Sequence, residues 1–249
     1  SGALVAEALT IDKNRVAIFD KGIPIHGSSM ASTAMLQHEI DLPLFKMAQY
    51  IGKTQAEMIW QRSVSAVGDL QELIKQHDIN CQMQYKAALY LAGDQYGKRA
   101  LYEEAKARQS INIKARYIDQ KILKAEFNID RTAAIVSTDS ASANPAQMTA
   151  GLLRVAQSRG AQIIQNTEIT DFISLNERVV LATATGEIFS AKYVIFCTGY
   201  EFLHALKNKN HKIISTWALA SRRNIKLPDW LNNFLVWDCS APYLYFRPT

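Results

Sequence analysis

The chain has 249 residues, of which 48% are hydrophobic and 20% charged, a balance that excludes intrinsic disorder and allows one or two domains with a sizeable core. The formal net charge is +5, and the Lys and Arg residues are spread along the chain without a basic block, so no nucleic-acid partner is expected. Three isolated cysteines argue against a disulfide scaffold and favour a reducing compartment, so we expect a cytoplasmic protein.

The first forty residues predict a helix, a strand and a second helix. Residues 2–10 are small or strongly helix-forming, which predicts a helix. The sequence RVAIFD at 15–20 predicts a strand buried on both of its faces. After the turn-like KGIPIHGSS, we expect a new helix near Met30, capped by Ser28 or Ser29.

The middle of the chain is predicted to be mainly helical. Apolar residues at helical spacing predict one long helix from Pro43 to about His77. The elements expected next are, in order, two β segments over 79–85 and 87–93, a helix that begins near Asp94, a strand over 114–118 and a short helix over 119–127.

The pattern changes near residue 140. Asn144 as cap, Pro145 in the first turn and Gly160 just beyond the end define a predicted helix. The expected later elements are strands over 161–165, 168–175, 178–189 and 191–200, with a hairpin turn at Thr185 and Gly186, a helix after Tyr200, and strands over 213–222, 234–238 and 243–249. This order predicts an α/β fold whose parallel sheet is interrupted by an insertion.

Gly2 and Asp20 are spaced as in a dinucleotide-binding motif. In such motifs a glycine lets the first helix pack closely on the sheet, and the pyrophosphate lies at the N-terminus of that helix. An acidic residue at the end of the next strand, about 20 residues on, binds the ribose hydroxyls. The alternative is an ordinary helix glycine and a surface aspartate. An NAD-dependent dehydrogenase would also explain these two residues, but not the stretches that follow later in the chain.

Six stretches extend this interpretation along the chain. They are SGALVAEAL, RVAIFDKG, GSSMASTAML, NPAQMTAGLLRVAQSRGAQI, TEITDFI and AKYVIFCTGY, and they are densest at 1–41 and 140–200. In this order they resemble the D-amino-acid-oxidase-like family of FAD-dependent oxidoreductases, which includes glycine, sarcosine and D-amino acid oxidases. The resemblance implies a Rossmann-like FAD-binding domain with a parallel sheet, at 1–41 and 141–205. It also implies a substrate-side domain of mixed sheet and helices, at 42–140 and 206–249.

The resemblance implies roles for individual residues in binding FAD. Ser1 and Gly2 would line the pyrophosphate turn, and Asp20, followed by Lys21, would hold the adenosine ribose. The other residues that match cofactor-binding positions are Ser28, Ser29, Ala31, Ser32, Thr33, Ile169, Cys197, Thr198, Gly199 and Tyr200. For the serine-rich segment the alternative is plain helix capping. For Cys197 we expect a buried small side chain rather than a redox role.

The candidates on the substrate side are Tyr245 and Arg247, close to the end of the chain. The alternative for Arg247 is a solvated charge at a strand end. No metal site is expected, because the five histidines show no metal-ligand spacing. No apolar run reaches the roughly 18 residues that a membrane helix needs.

The resemblance implies an enzyme that oxidises a small-molecule amine or amino acid by hydride transfer to the flavin. In the family, a strand and two glycines precede the position of Gly2, and further segments follow the position of Thr249. The chain is therefore expected to be truncated at both ends. The alternative is a non-catalytic fragment or paralogue of the same fold that binds no FAD and serves as an interaction module.

Overall fold

The computed structural model describes residues 1–200, 215–222 and 225–248. The chain divides into two compact units. The first unit comprises Ser1–Ser32 and Pro145–Ala220, and the second comprises Thr33–Asn144 and Ser221–Thr249. Each unit is therefore built from two separate stretches of the chain, as in a fold with one segment inserted into another.

The elements of the described residues are as follows. The α-helices are α1 (Gly2–Ile11), α2 (Ser28–Ala31), α3 (Leu44–Ile51), α4 (Lys53–Gln76), α5 (Lys98–Ser110), α6 (Gln120–Phe127) and α7 (Pro145–Ser158). The strands are β1 (Ala17–Phe19), β2 (Met35–Leu36), β3 (Gln84–Leu91), β4 (Ala115–Asp119), β5 (Ala133–Ser142), β6 (Gln162–Ile164), β7 (Ile169–Ser174), β8 (Val179–Thr183), β9 (Ile188–Ala191), β10 (Phe234–Asp238) and β11 (Tyr245–Phe246). A short 3-10 helix spans Asp229–Asn233.

The first unit combines a parallel strand pair with two helices. β1 pairs with β6 in parallel register, and α1 packs against α7. Ala6, Ala156 and Ala161 are buried at this contact, and small side chains there let the elements approach closely. An ion pair of 2.8 Å joins Arg159 on the α7 side to Glu7 of α1. Strands β7, β8 and β9 form a separate antiparallel sheet in the same unit.

The second unit is organised around a mixed six-stranded sheet. Its strand order is β11-β10-β3-β5-β2, and β4 also pairs with β5. β10 runs parallel to β3, whereas the other pairs are antiparallel. Alternate residues of the strands pack into two different clusters, because successive side chains point to opposite faces. One cluster contains Tyr90, Leu101 of α5 and Trp237, and the other contains Leu89 and Leu123 of α6.

The structure confirms the predicted α/β class, with a parallel strand pair in one unit and a mixed sheet in the other. The expected helices over 2–10 and from Pro145 are present as α1 and α7. The hairpin turn at Gly186 is also present, and its amide donates to the carbonyl of Thr183 at 3.1 Å.

Three predictions in the first half of the chain were wrong. The strand over 15–20 is not buried on both faces: β1 has three residues, and Ala17 is exposed. The long helix from Pro43 is interrupted at Gly52, whose φ of 86° is a conformation that ends α3. The residues at 79–85 and 87–93 contribute a single strand, β3, because β3 pairs continuously with β5 apart from one irregularity after Lys86.

The second half of the chain shows two further differences. The segment 191–200 is a strand only at Ala191, and residues 193–198 form no regular element. The described part of 213–222 likewise forms no strand. In contrast, β5 was not predicted, because its sequence AAIVSTDSAS mixes small polar residues into an apolar strand. The helix expected after Tyr200 lies outside the described residues.

Candidate functional site

The N-terminus of α1 lies beside one of the other predicted cofactor residues. Ser1 is the N-cap of α1, with no side-chain capping hydrogen bond, and its carbonyl accepts from the amide of Val5 at 3.1 Å. A Cβ placed on Gly2 would lie 3.4 Å from the Cβ of Cys197. The glycine therefore permits close approach of the 193–198 segment to the helix N-terminus, which carries a partial positive charge.

Asp20 is held at the carboxyl end of β1. Its backbone amide donates to the carbonyl of Ile164 at 3.0 Å, and its carbonyl accepts from Thr167 at 2.9 Å. One carboxylate oxygen, Oδ1, accepts from the amide of Gly22 at 2.9 Å. The other oxygen has no hydrogen-bond partner among the described residues. Asp20 is thus oriented by backbone contacts and keeps an acceptor available to a ligand.

The serine-rich segment forms one short turn of helix. Ser28, Ser29 and Ala31 belong to α2, whose N-cap is Gly27. The expectation that Ser28 or Ser29 caps this helix was wrong, because both residues lie inside it and no side-chain cap bond forms. Ser32 follows the helix in extended conformation and is exposed. Thr33 is half-buried and is the first residue of the second unit.

The remaining residues predicted to contact the adenosine half lie in the first unit. Ile169 begins β7, opposite Thr183 of β8. Thr198, Gly199 and Tyr200 are exposed, and Lys21 is exposed as well. The expectation that Cys197 is buried was wrong: the side chain is exposed, because the segment around it forms no strand.

The two substrate-side candidates lie together at one edge of the six-stranded sheet. Tyr245 is half-buried in β11, pairs with Trp237 and stacks on Tyr243 with a ring-centroid distance of 5.6 Å. Arg247 follows two residues later, half-buried. Its Nε donates to the carbonyl of Thr33, and burial lowers the pKa of its guanidinium. Arg247 is thus neither fully buried nor fully exposed.

Sequence reasoning missed two polar features of the second unit. The first is a buried ion cluster in which Arg108 Nε contacts Glu104 Oε1 at 2.7 Å and Arg108 Nη1 contacts Glu39 Oε1 at 3.4 Å. The spacing of Glu104 and Arg108, four residues apart on a helix, was a usable signal for their pairing. The second is Lys86 of β3, whose pKa is lowered by burial and then by the charge of Arg247, a residue too far along the sequence for any local pattern to reveal.

The described residues contain no group of His, Cys, Asp and Glu side chains that could hold a metal ion. Among the helices described, none is both long enough and apolar enough to cross a membrane.

Comparison with known proteins places these features in a family. A family model described as FAD dependent oxidoreductase matches residues 1–249. No curated protein matches the chain. A glycine oxidase from Geobacillus kaustophilus is similar in structure, with a TM-score of 0.61 and 24% identity, over 77% of this chain and 50% of that one.

Two further solved structures share the fold. An L-proline dehydrogenase from P. horikoshii has a TM-score of 0.58 and 16% identity, over 77% of this chain and 48% of that one. An iminodiacetate oxidase from Chelativorans sp. BNC1 has a TM-score of 0.54 and 20% identity, over 76% and 50% of the respective chains. The chain thus spans about half the length of the solved structures that it matches.

Proposed function

Because the chain belongs to the family of FAD-dependent oxidoreductases, we propose that it takes part in the oxidation of an amine or amino acid with FAD as cofactor. The first unit would bind the cofactor and the second would bind the substrate. The observation that carries the proposal is the family match over residues 1–249, together with the placement of Gly2 and Asp20.

The cofactor-binding part of the proposal fits the residues of the first unit. The α1 N-terminus has no side-chain cap, so its first-turn amides are available to a phosphate. Gly2 leaves the approach to that terminus free of a side chain. Asp20 offers a carboxylate oxygen for ribose hydroxyls, and a hydrogen bond to a charged acceptor contributes about 1.5–3 kcal/mol. Ser28 and Ser29 would add hydroxyl donors from α2.

The substrate part of the proposal rests on β11. Tyr245 supplies a phenol, and Arg247 supplies a guanidinium that no acid pairs with among the described residues. A guanidinium binds a carboxylate through two parallel hydrogen bonds, which fixes the position of the substrate as well as its charge. Both side chains would orient the substrate rather than exchange protons with it. Bound FAD would supply the hydride acceptor, which amino-acid side chains lack.

The test is a titration of the 249-residue chain with FAD, followed by flavin fluorescence. We expect the wild-type chain to bind FAD and Asp20→Asn to bind it about tenfold more weakly, because a neutral amide is a weaker acceptor for ribose hydroxyls. The matched control is Asp12→Asn, since Asp12 is exposed at the end of α1. Wild-type protein that takes up no FAD would contradict the proposal.

A further inference from the structure

A row of polar residues crosses one face of the six-stranded sheet in the second unit. Lys86 of β3 lies directly opposite Ser140 of β5. Leu36 of β2 lies opposite Ala141, so the next residue, Gln37, comes opposite Ser140 in turn. Residues opposite each other in neighbouring strands point to the same face. Lys86, Ser140 and Gln37 therefore form one row across three strands.

Arg247 points to the same face from the other edge of the sheet. Tyr90, Trp237 and Tyr245 are paired in one row across β3, β10 and β11. Arg247 comes two residues after Tyr245, and Lys86 comes four residues before Tyr90, so both share the face of that row. The Nε of Arg247 donates to the carbonyl of Thr33, two residues before β2. This hydrogen bond joins residues from opposite edges of the sheet.

Two buried polar atoms in this row have no partner. The Oε1 atom of Gln37 and the Oγ atom of Ser140 are buried and make no hydrogen bond to any of the residues described. Buried polar groups are nearly always paired, since leaving one unpaired costs about 1–3 kcal/mol. The hydroxyl of Ser140 can donate to an acceptor, so it offers a hydrogen-bond donor to an anion on the face that Lys86 shares. The Oε1 atom of Gln37 can only accept and does not contribute to binding an anion.

Lys86 and Arg247 differ from the buried Arg108, which is paired with Glu104 and Glu39. Within residues 1–200, 215–222 and 225–248, neither Lys86 nor Arg247 forms an ion pair. The Nζ of Lys86 donates to the carbonyl of Asn232, which is neutral. Burial lowers the pKa of Lys86, and the charge of Arg247 lowers it further, so the two cations lie within electrostatic reach of each other. Two half-buried like charges repel, and an anion placed between them relieves that repulsion.

We propose that Lys86 is a specificity-determining residue that, with Arg247 and the hydroxyl of Ser140, selects a substrate carrying two carboxylates. An ordinary amino acid has one carboxylate, which would neutralise one of the two cations. A second carboxylate on the substrate neutralises the other. The assignment rests on the proposed oxidation of an amine or amino acid, and it narrows that substrate class to amines with two carboxylate groups.

The experiment compares two ligands that lack an amine and so cannot be oxidised as substrates. Diglycolate carries two carboxylates around an ether oxygen, and methoxyacetate is its counterpart with one. Isothermal titration calorimetry of the 249-residue chain should show diglycolate binding at least about tenfold more tightly, a difference of about 1.4 kcal/mol. Lys86→Met should bind the two ligands with similar affinity, whereas Lys86→Arg should keep the preference, because it keeps the charge.

The control is Lys114→Met, which removes an exposed lysine of the same unit and should retain the wild-type preference. The proposal is overturned if the wild-type chain binds the two ligands equally or binds neither. It is also overturned if Lys86→Met keeps the preference. A chain that prefers diglycolate but takes up no FAD would contradict the proposed oxidation and leave the two-carboxylate site standing.

Discussion

At the scale of single residues, Arg108 is a buried charge held by several partners. Its side chain is 1% exposed, and its contacts are Glu104, Glu39 and the hydroxyl of Ser137 at 3.1 Å. The guanidinium also lies 4.6 Å from the ring centroid of Trp60. Glu104 in turn accepts from the amide of Phe45 at 3.1 Å, so the cluster connects α5 to the start of α3.

Removing Arg108 should destabilise the chain strongly. We expect Arg108→Met to lower the free energy of unfolding by about 3–5 kcal/mol, because Glu104 and Glu39 would remain buried without a countercharge. Urea unfolding followed by circular dichroism measures this. Arg116→Met is the control: Arg116 pairs with Glu126 at the surface, with 54% of its side chain exposed, so its loss should cost less than about 1 kcal/mol. Equal losses in the two variants would contradict this account of the cluster.

At the scale of elements, two glycines differ in whether the structure leaves space for a side chain at their positions. Gly93 follows β3 at the point where the chain passes the end of β10. A Cβ there would lie 2.7 Å from the carbonyl carbon of Cys239 and from the amide nitrogen of Ser240. Gly68 lies within α4, is exposed, and has nothing within 4 Å of an added Cβ. The first position requires glycine for space, whereas the second does not.

The two corresponding alanine variants should shift stability in opposite directions. Gly93→Ala should lower the free energy of unfolding by about 1–3 kcal/mol, because the backbone of two strand ends must separate. Gly68→Ala should raise it by about 0.5–1 kcal/mol, because alanine is favoured over glycine inside a helix. Thermal or urea unfolding of both variants tests the pair. A Gly93→Ala variant as stable as the wild type would show that these ends are not tightly packed.

At the scale of the whole molecule, charge is the property that depends least on the fold. The chain carries a formal net charge of +5, and its sequence pI is about 9.0. We expect its solubility to be lowest near pH 9, where the net charge vanishes and repulsion between molecules is weakest. Turbidity measured on both sides of that pH tests this. A minimum well below pH 9 would indicate that association depends on local patches instead of net charge.

The local pattern of the sequence predicted those parts of the fold that depend on near neighbours. Helix α7 has Pro145 in its first turn and Gly160 beyond its end, and helix α1 has helix-forming residues throughout, so both could be predicted. β5 could not, because its alternation is masked by serines that the sheet itself buries. The break between α3 and α4 was missed because the surrounding apolar spacing continues through Gly52, whose left-handed φ appears only in the structure.

Some residues of the candidate site could likewise be predicted from the local sequence, whereas others could not. Gly2 and Asp20 were predicted as cofactor residues from their spacing, and their order with the later stretches indicated the family, because such patterns consist of residues close in sequence. Lys86 and Arg247 are 161 positions apart, as are many residues that meet in a sheet, so only the pairing of β3, β10 and β11 places them on one face. The sequence by itself determined the family to which the chain belongs. The tertiary structure decided which charges share a face of the sheet, because strand register, and not distance along the sequence, determines which side chains a ligand on that face can contact.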